Sequence, residues 1–292
     1  MLELPEFTEY EETRAGFSLE IPEFYNFGFD EIERRAREAD KTAFIYVARD
    51  GETVEHHRFS DLNRDANRFA NVLQELGAAK GDFAFVMIPR LSAWYQVMIG
   101  CIKTGVVAMP GTNLLQHKDI EYRINKWRAK LAIVTADATD KIEEIRAKCP
   151  SLEHLIVIGG ERDGWTGYEA ACAAASDELS RDDVPPTRAD DTMLVYFTSG
   201  TTAFPKMVPR DQSYGLAHSI TGDYWMGLRE DDVHWTLTDT GWAKAAWGIV
   251  FPPLLAGATV LLYDGEGFDA DMHLRLIERH KVTTFCAPPT IY

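Results

Sequence analysis

Short apolar runs alternate with amphipathic stretches along almost all of this chain, and few folds satisfy that rhythm. Ala43–Ala48 reads as a strand, Asp50-Gly51 as a tight turn and Val54–Phe59 as its hairpin partner. Ser60 reads as the cap of a helix running to Leu76. Leu62, Ala66, Phe69, Ala70, Leu73 and Leu76 recur there at helical spacing, and Gly77 stops it. Phe83–Ile88 is a continuous apolar run, as a strand covered on both faces requires. A helix at Ser92–Lys103, a strand at Val106–Met109, a helix near His117–Trp127, a strand at Leu131–Thr135, a helix to Lys148 and a strand at His154–Gly159 follow. The alternation pauses over 160–190, which is rich in Ala, Asp, Glu and Pro. It resumes with strands at Met193–Thr198, Val233–Thr238, Ala258–Tyr263 and Val282–Ala287, separated by helices near Gln212–Gly227, Ala243–Leu255 and Ala270–His280. Strands that alternate with helices pair mostly in parallel and carry helices on both faces. The expected fold is therefore α/β, with two doubly wound, mostly parallel sheets packed with helices. The expected division is an N-terminal arm over 1–40, held down by Phe24, Tyr25, Phe27 and Phe29, a first α/β subdomain over 41–185 and a second over 186–292.

Composition excludes several classes. Hydrophobic residues make up 46 % of the chain, enough for full cores. With 46 acidic against 30 basic residues the net charge is −16, the wrong sign for a nucleic-acid binder, and no Lys/Arg run is interleaved with aromatics. Such a chain can hold an anion only where local donors and a cation oppose its overall field. The cysteines Cys101, Cys149, Cys172 and Cys286 are dispersed and form no CxxC pair, so they read as reduced thiols rather than as zinc ligands. His56, His57, His218, His234 and His273 lack ligand spacing, and no metal site is expected from protein ligands. The acidic N-terminus carries no continuous apolar segment. The longest apolar stretch, Gly248–Leu262, is broken by Pro252, Pro253 and Gly257. The expectation is a cytoplasmic protein with no membrane span.

Two segments carry chemistry. Tyr196-Phe197-Thr198-Ser199-Gly200-Thr201-Thr202-Ala203-Phe204-Pro205-Lys206 follows a strand and supplies hydroxyls, a glycine and a lysine together. Gly200 permits inward-pointing N–H groups, the hydroxyls donate to phosphate oxygens or reach magnesium, and Lys206 adds the charge. The lysine precedes Met207 rather than Ser or Thr, so this is not a Walker A loop, and no GxGxxG supports a dinucleotide dehydrogenase. Pro205 and Pro209 read as interruptions, with Asp211 capping the next helix. The second segment, Thr238-Asp239-Thr240-Gly241-Trp242-Ala243-Lys244, follows another strand, where ligands of parallel sheets bind.

TSGTT followed by a proline–lysine pair resembles the phosphate loop of the adenylate-forming superfamily, which includes acyl-CoA synthetases, peptide-synthetase adenylation domains and firefly luciferase. Ala203 and Met207 stand where that pattern usually has glycine, and Met207 is similar to the acetyl- and medium-chain acyl-CoA synthetase branch. The resemblance implies that Thr198, Ser199, Gly200, Thr201, Thr202 and Lys206 bind ATP, with Thr201 and Lys206 in catalysis. It implies that Gly241, Trp242 and Ala243 line the acid pocket, Trp242 as a flat wall and Gly241 as the point of close approach. Lys244 either snorkels to the surface or sits at the tunnel, and Asp239 caps the next helix. Ala287–Tyr292 is similar to the superfamily's next element. The implied activity is an AMP-forming carboxylic acid:CoA ligase using ATP, Mg²⁺ and CoA on a medium-chain, branched or aromatic acid. Alternatives are an enzyme loading a carrier protein and a non-catalytic nucleotide-binding remnant; an oligomer is left open. The resemblance runs from about residue 30 to the end and covers the N-terminal half of a full member. The adenine-binding loop, the ribose aspartate and the small C-terminal domain with its catalytic lysine lack counterparts, so the chain reads as truncated and inactive alone.

Overall fold

A computed structural model describes residues 9–198 and 205–292 of the chain. The described strands are β1 (Thr42–Val47), β2 (Val54–Arg58), β3 (Phe83–Met87), β4 (Val107–Pro110), β5 (Leu131–Thr135), β6 (His154–Ile158), β7 (Thr166–Gly167), β8 (Thr192–Thr198), β9 (Lys206–Asp211), β10 (Val233–Thr236), β11 (Thr259–Tyr263) and β12 (Thr284–Cys286). They form a seven-stranded sheet in the order β7-β6-β5-β3-β4-β8-β9 and a five-stranded sheet in the order β12-β10-β11-β1-β2. Pairing is parallel except in the β1–β2 and β8–β9 hairpins. The α/β class with two mostly parallel sheets is thus as expected.

Strand patterning explains the layering. In β3, Ala84 and Val86 face one core while Phe85 and Met87 face another, so the strand is buried on both sides. The first core lies between the sheets. It holds Leu62, Phe69 and Leu73 of the helix Phe59–Glu75, Tyr95, Met98 and Ile102 of the helix Ser92–Thr104, and Phe44, Val260 and Leu262 of the smaller sheet. The helices His117–Trp127 and Thr139–Arg146 cover the outer face of the larger sheet through Ile120, Ile124, Ile142 and Ile145. Leu276 of the helix Ala270–Arg279 covers the outer face of the smaller one with Ile45, Val47 and Trp235.

The sheets do not follow the division expected near 180–190. β1 and β2 join β10, β11 and β12, while β8 and β9 join β3–β7, so each sheet draws on both sides of it. Apolar β1 requires a neighbour on each edge. It finds β11 in parallel register, Phe44 opposite Val260, and β2 on its other side. Of the four aromatics expected to hold the N-terminal segment down, Tyr25, Phe27 and Phe29 are buried, as is Ile32, and Phe24 stays half exposed.

Smaller differences have local causes. Arg58, not Ser60, is the N-cap residue of its helix, its backbone N–H donating to Asp61, while the Ser60 hydroxyl donates to Asp40 Oδ2 at 2.9 Å. The helix expected over Ala243–Leu255 breaks at Val250, because Pro252 and Pro253 have no N–H to donate into the preceding turn. Pro209 does not interrupt: it sits in β9 at the sheet edge, where no further strand needs its N–H. Asp211 accepts from the Ser213 hydroxyl at 2.6 Å, but the next helix takes Gln212 as its N-cap residue.

Two histidines are held among core elements. The ring nitrogens of buried His234 lie 2.7 Å from the Thr284 and Thr236 hydroxyls, and burial pushes its pKa down to about 4. Burial likewise pushes His218 down to about 4. Both groups charge more readily in the unfolded chain, so their contribution is full above about pH 6.5 and lost as pH falls toward 4. Each should cost at most about 2 kcal/mol of stability at pH 5. Thermal melting at pH 7 and pH 5 checks this: His234→Gln should lose less stability on acidification than the parent chain.

Candidate active site

The β8–β9 hairpin carries both described ends of the phosphate-loop motif. Thr198, the last residue of β8, faces Lys206, the first of β9, and both are exposed at the sheet's carboxyl edge. Ser199, Gly200, Thr201, Thr202, Ala203 and Phe204 lie outside the described residues. The hairpin base is anchored from the helix His117–Trp127. The Arg123 guanidinium lies 4.6 Å from the centre of the Phe197 ring, and the Trp127 indole N–H donates to the Met207 sulfur. Met207, noted above for standing where glycine is usual, therefore packs the strand down. Lys206 forms no ion pair with any described residue.

The second motif reaches the same edge from the other sheet. Beyond β10 the chain crosses to the larger sheet and docks against Gly111-Thr112, just past β4. A Cβ on Gly241 would stand 2.1 Å from the Thr112 nitrogen and 2.3 Å from the Gly111 carbonyl carbon, so only glycine fits. Gly241 permits a close approach of this backbone. Asp239 does not cap a helix. Its Oδ2 accepts from the Thr112 hydroxyl at 3.0 Å and its Oδ1 from the Gly241 N–H at 2.8 Å, which fixes the turn. The Thr240 hydroxyl donates to the Ile88 carbonyl, past the end of β3, at 2.5 Å.

Register relates the two motifs. Ala108 of β4 opposes Leu194 of β8, so the chain at Gly111-Thr112 and at Thr198 leaves neighbouring strands at one edge. Trp242 stands there 61 % exposed, with exposed Ala243 after it, and Lys244 is partly buried. An indole held at that exposure costs apolar hydration and offers a flat binding wall. The structure thus brings Thr198, Lys206, Gly241, Trp242 and Ala243 to one edge. Thr112, Thr240 and Arg90 were not singled out in the sequence. Their one readable signal was a position just past a strand's carboxyl end or inside the second motif.

Two cavities flank this picture. One of about 210 Å³ lies at the carboxyl ends of β10, β11 and β12 and is lined by Arg90, Trp235, Thr238, Tyr263, His273 and Pro288. Another, of about 740 Å³, is walled by Tyr25, Leu216, Leu228, Pro252 and Leu255 and touches neither motif, so size does not make it the site. No group of three or more His, Cys, Asp or Glu arranged to hold a metal occurs among the described residues. No helix among them is long and apolar enough to cross a membrane.

Comparison with known proteins places the chain among relatives. The family model described as AMP-binding enzyme matches residues 32–292. The acyl-coenzyme A synthetase ACSM3, mitochondrial, of Mus musculus is 35 % identical over 98 % of this chain and 50 % of its own length. ACSM5, mitochondrial, of the same species is 38 % identical over 93 % of this chain and 48 % of its own length. The chain therefore spans about half the length of the curated relatives it matches. Among solved structures, the anthranilate CoA ligase AuaEII in complex with anthranoyl-AMP superimposes with a TM-score of 0.82, at 28 % identity over 91 % of this chain and 50 % of that one. A Brucella canis acyl-CoA synthetase gives 0.84, at 27 % identity over 98 % of this chain and 51 % of that one.

The Gly241 contact is directly testable. Gly241→Ala should destabilise the chain by about 1–3 kcal/mol through overpacking, read as a lower urea midpoint with an unchanged slope.

Proposed function

The chain belongs to the AMP-binding enzyme family, and from that premise we propose that it is the phosphate- and acid-binding half of an AMP-forming carboxylic acid:CoA ligase. The observation that carries this reading is the convergence of two motifs from two sheets on one carboxyl edge. A carboxylate oxygen attacks the α-phosphorus of ATP, the bond to the bridging oxygen breaks, and pyrophosphate leaves with the acyl-adenylate formed. The CoA thiol then attacks the acyl carbon, losing its proton, and AMP departs. Attack of an anion on a polyanion is slow unless charge is offset and the partners are held in line.

The residues divide this work. Thr198, Ser199, Gly200, Thr201 and Thr202 grip the phosphates, and Lys206 holds the β- and γ-phosphates and the departing pyrophosphate. Thr201 and Lys206 thereby act in catalysis. Trp242 forms the flat wall of the acid pocket, and small Ala243 leaves room beyond an acetyl group. Magnesium, when bound, would offset triphosphate charge. A medium-chain, branched or aromatic acid suits an indole wall, and the anthranoyl-AMP complex of the similar ligase supports the aromatic case. CoA is favoured over a carrier protein because the similar proteins are named as CoA synthetases and a CoA ligase. A cytoplasmic location stays a proposal against relatives named as mitochondrial, and cell fractionation decides it.

The expected behaviour of residues 1–292 is binding without turnover. Calorimetry should show Mg²⁺–ATP binding that Lys206→Ala weakens at least about tenfold, the loss of one charge-assisted contact. No heat in the parent chain contradicts the phosphate site. Acyl-AMP production at the rate of a full-length relative contradicts the assignment of a half-site.

A further inference from the structure

Arg90 follows β3 and belongs to neither motif, yet it joins the two sheets where the motifs meet. Its Nε donates to the Tyr263 carbonyl at 2.7 Å, at the end of β11. Its Nη1 donates to the Thr238 carbonyl at 3.2 Å, just past β10, and its Nη2 donates to the Gly265 carbonyl. No acidic side chain forms an ion pair with it among the described residues. An arginine committed to three carbonyls rather than to a carboxylate is a geometric device. The planar fork fixes three acceptors at once, whereas a lysine carries its donors on one nitrogen and cannot match that spread.

The clasp is reciprocal. Two residues before Arg90, the Ile88 carbonyl accepts from the Thr240 hydroxyl at 2.5 Å, so 88–90 holds 238–240 from both directions. Asp239, between those anchored residues, joins Thr112 on β4's side of the larger sheet. The path from Arg90 to Trp242 is short: the Thr238 carbonyl, the Asp239 turn, then Gly241 seated on Thr112.

We infer that Arg90 is a positioning residue for the acid pocket: it acts through the 238–242 turn and fixes where Trp242 stands relative to the phosphate-loop sheet. The role of the pocket rests on the function proposed above; the clasp does not. The two can therefore fail separately. The consequence is a split: loss of the fork loosens the 238–242 turn and weakens acid binding while the β8–β9 hairpin keeps its hold on nucleotide.

Hydrogen exchange of unliganded 1–292 tests the clasp without any ligand. In Arg90→Lys, peptides covering 238–242 should exchange at least about tenfold faster, while peptides covering β3 and the helix Phe59–Glu75 are unchanged. Thr240→Val, which removes only the hydroxyl's bond to Ile88, should give a smaller acceleration in the same peptides and serves if Arg90→Lys does not fold. Unchanged exchange at 238–242 overturns the inference, and so does equal acceleration throughout the chain, which marks a purely structural arginine. In a second arm, octanoate and benzoate are titrated beside Mg²⁺–ATP. The split predicts weaker acid binding at constant nucleotide affinity, and equal losses of both contradict it. If the parent chain binds Mg²⁺–ATP but neither acid, the acid-pocket reading fails, and the exchange result still decides the role of Arg90.

Discussion

The contact between the carboxyl ends of the two sheets is the constraint on which the site depends. A parallel sheet presents its loops at one edge, and one sheet can hold either the phosphate loop or the acid-pocket turn on its own. Joining them requires a segment of one sheet to cross and fasten to the other. Asp239 bonded to Thr112, Thr240 bonded to Ile88 and Gly241 pressed on the Gly111-Thr112 backbone make that crossing. One bond joins two side chains and the other joins a side chain to a backbone carbonyl, so they set position as well as contributing roughly 1 kcal/mol each.

The strand exchange between the halves of the chain serves the same end. β1 and β2 lie far from β10–β12 in sequence but share their sheet, and β8–β9 closes the sheet begun by β3. The helices Phe59–Glu75 and Ser92–Thr104 fill the space between the sheets, with Phe69, Tyr95 and Phe44 in one continuous core. Neither sheet can shift without disturbing that packing, because close-packed interiors transmit displacement rather than absorb it. The edge that carries Lys206 and Trp242 is therefore held by the apolar core between the sheets as well as by polar bonds.

Much of this was legible in the sequence. Period and burial agree for β3, β5 and β8, whose apolar runs are covered on both faces, so the α/β class followed from the pattern. The motifs were visible as residue types lying just after strands. What local pattern could not show was partnership across long separations. Nothing around Ala43 names β11 as its neighbour, and nothing around Gly241 says that Thr112 will occupy the space its missing side chain leaves. Pro209 misled for a related reason: a proline interrupts a central strand but not an edge one, and edge status belongs to the sheet. Arg90 escaped because its acceptors are backbone carbonyls, which leave no mark in composition.

The most direct test of the central claim is whether a bound nucleotide stands beside Trp242. Manganese replaces magnesium in the ATP complex, and its unpaired electrons broaden nearby proton resonances. The account predicts that the Trp242 indole N–H signal, assigned by its loss in Trp242→Phe, broadens strongly with Mn²⁺–ATP and not with Mg²⁺–ATP. The Trp165 indole, bonded to Glu143 beyond β6, should broaden less, since β5, β3 and β4 separate β6 from β8. A Trp242 signal left sharp while Mn²⁺–ATP is bound would place the two motifs in separate sites and contradict the account.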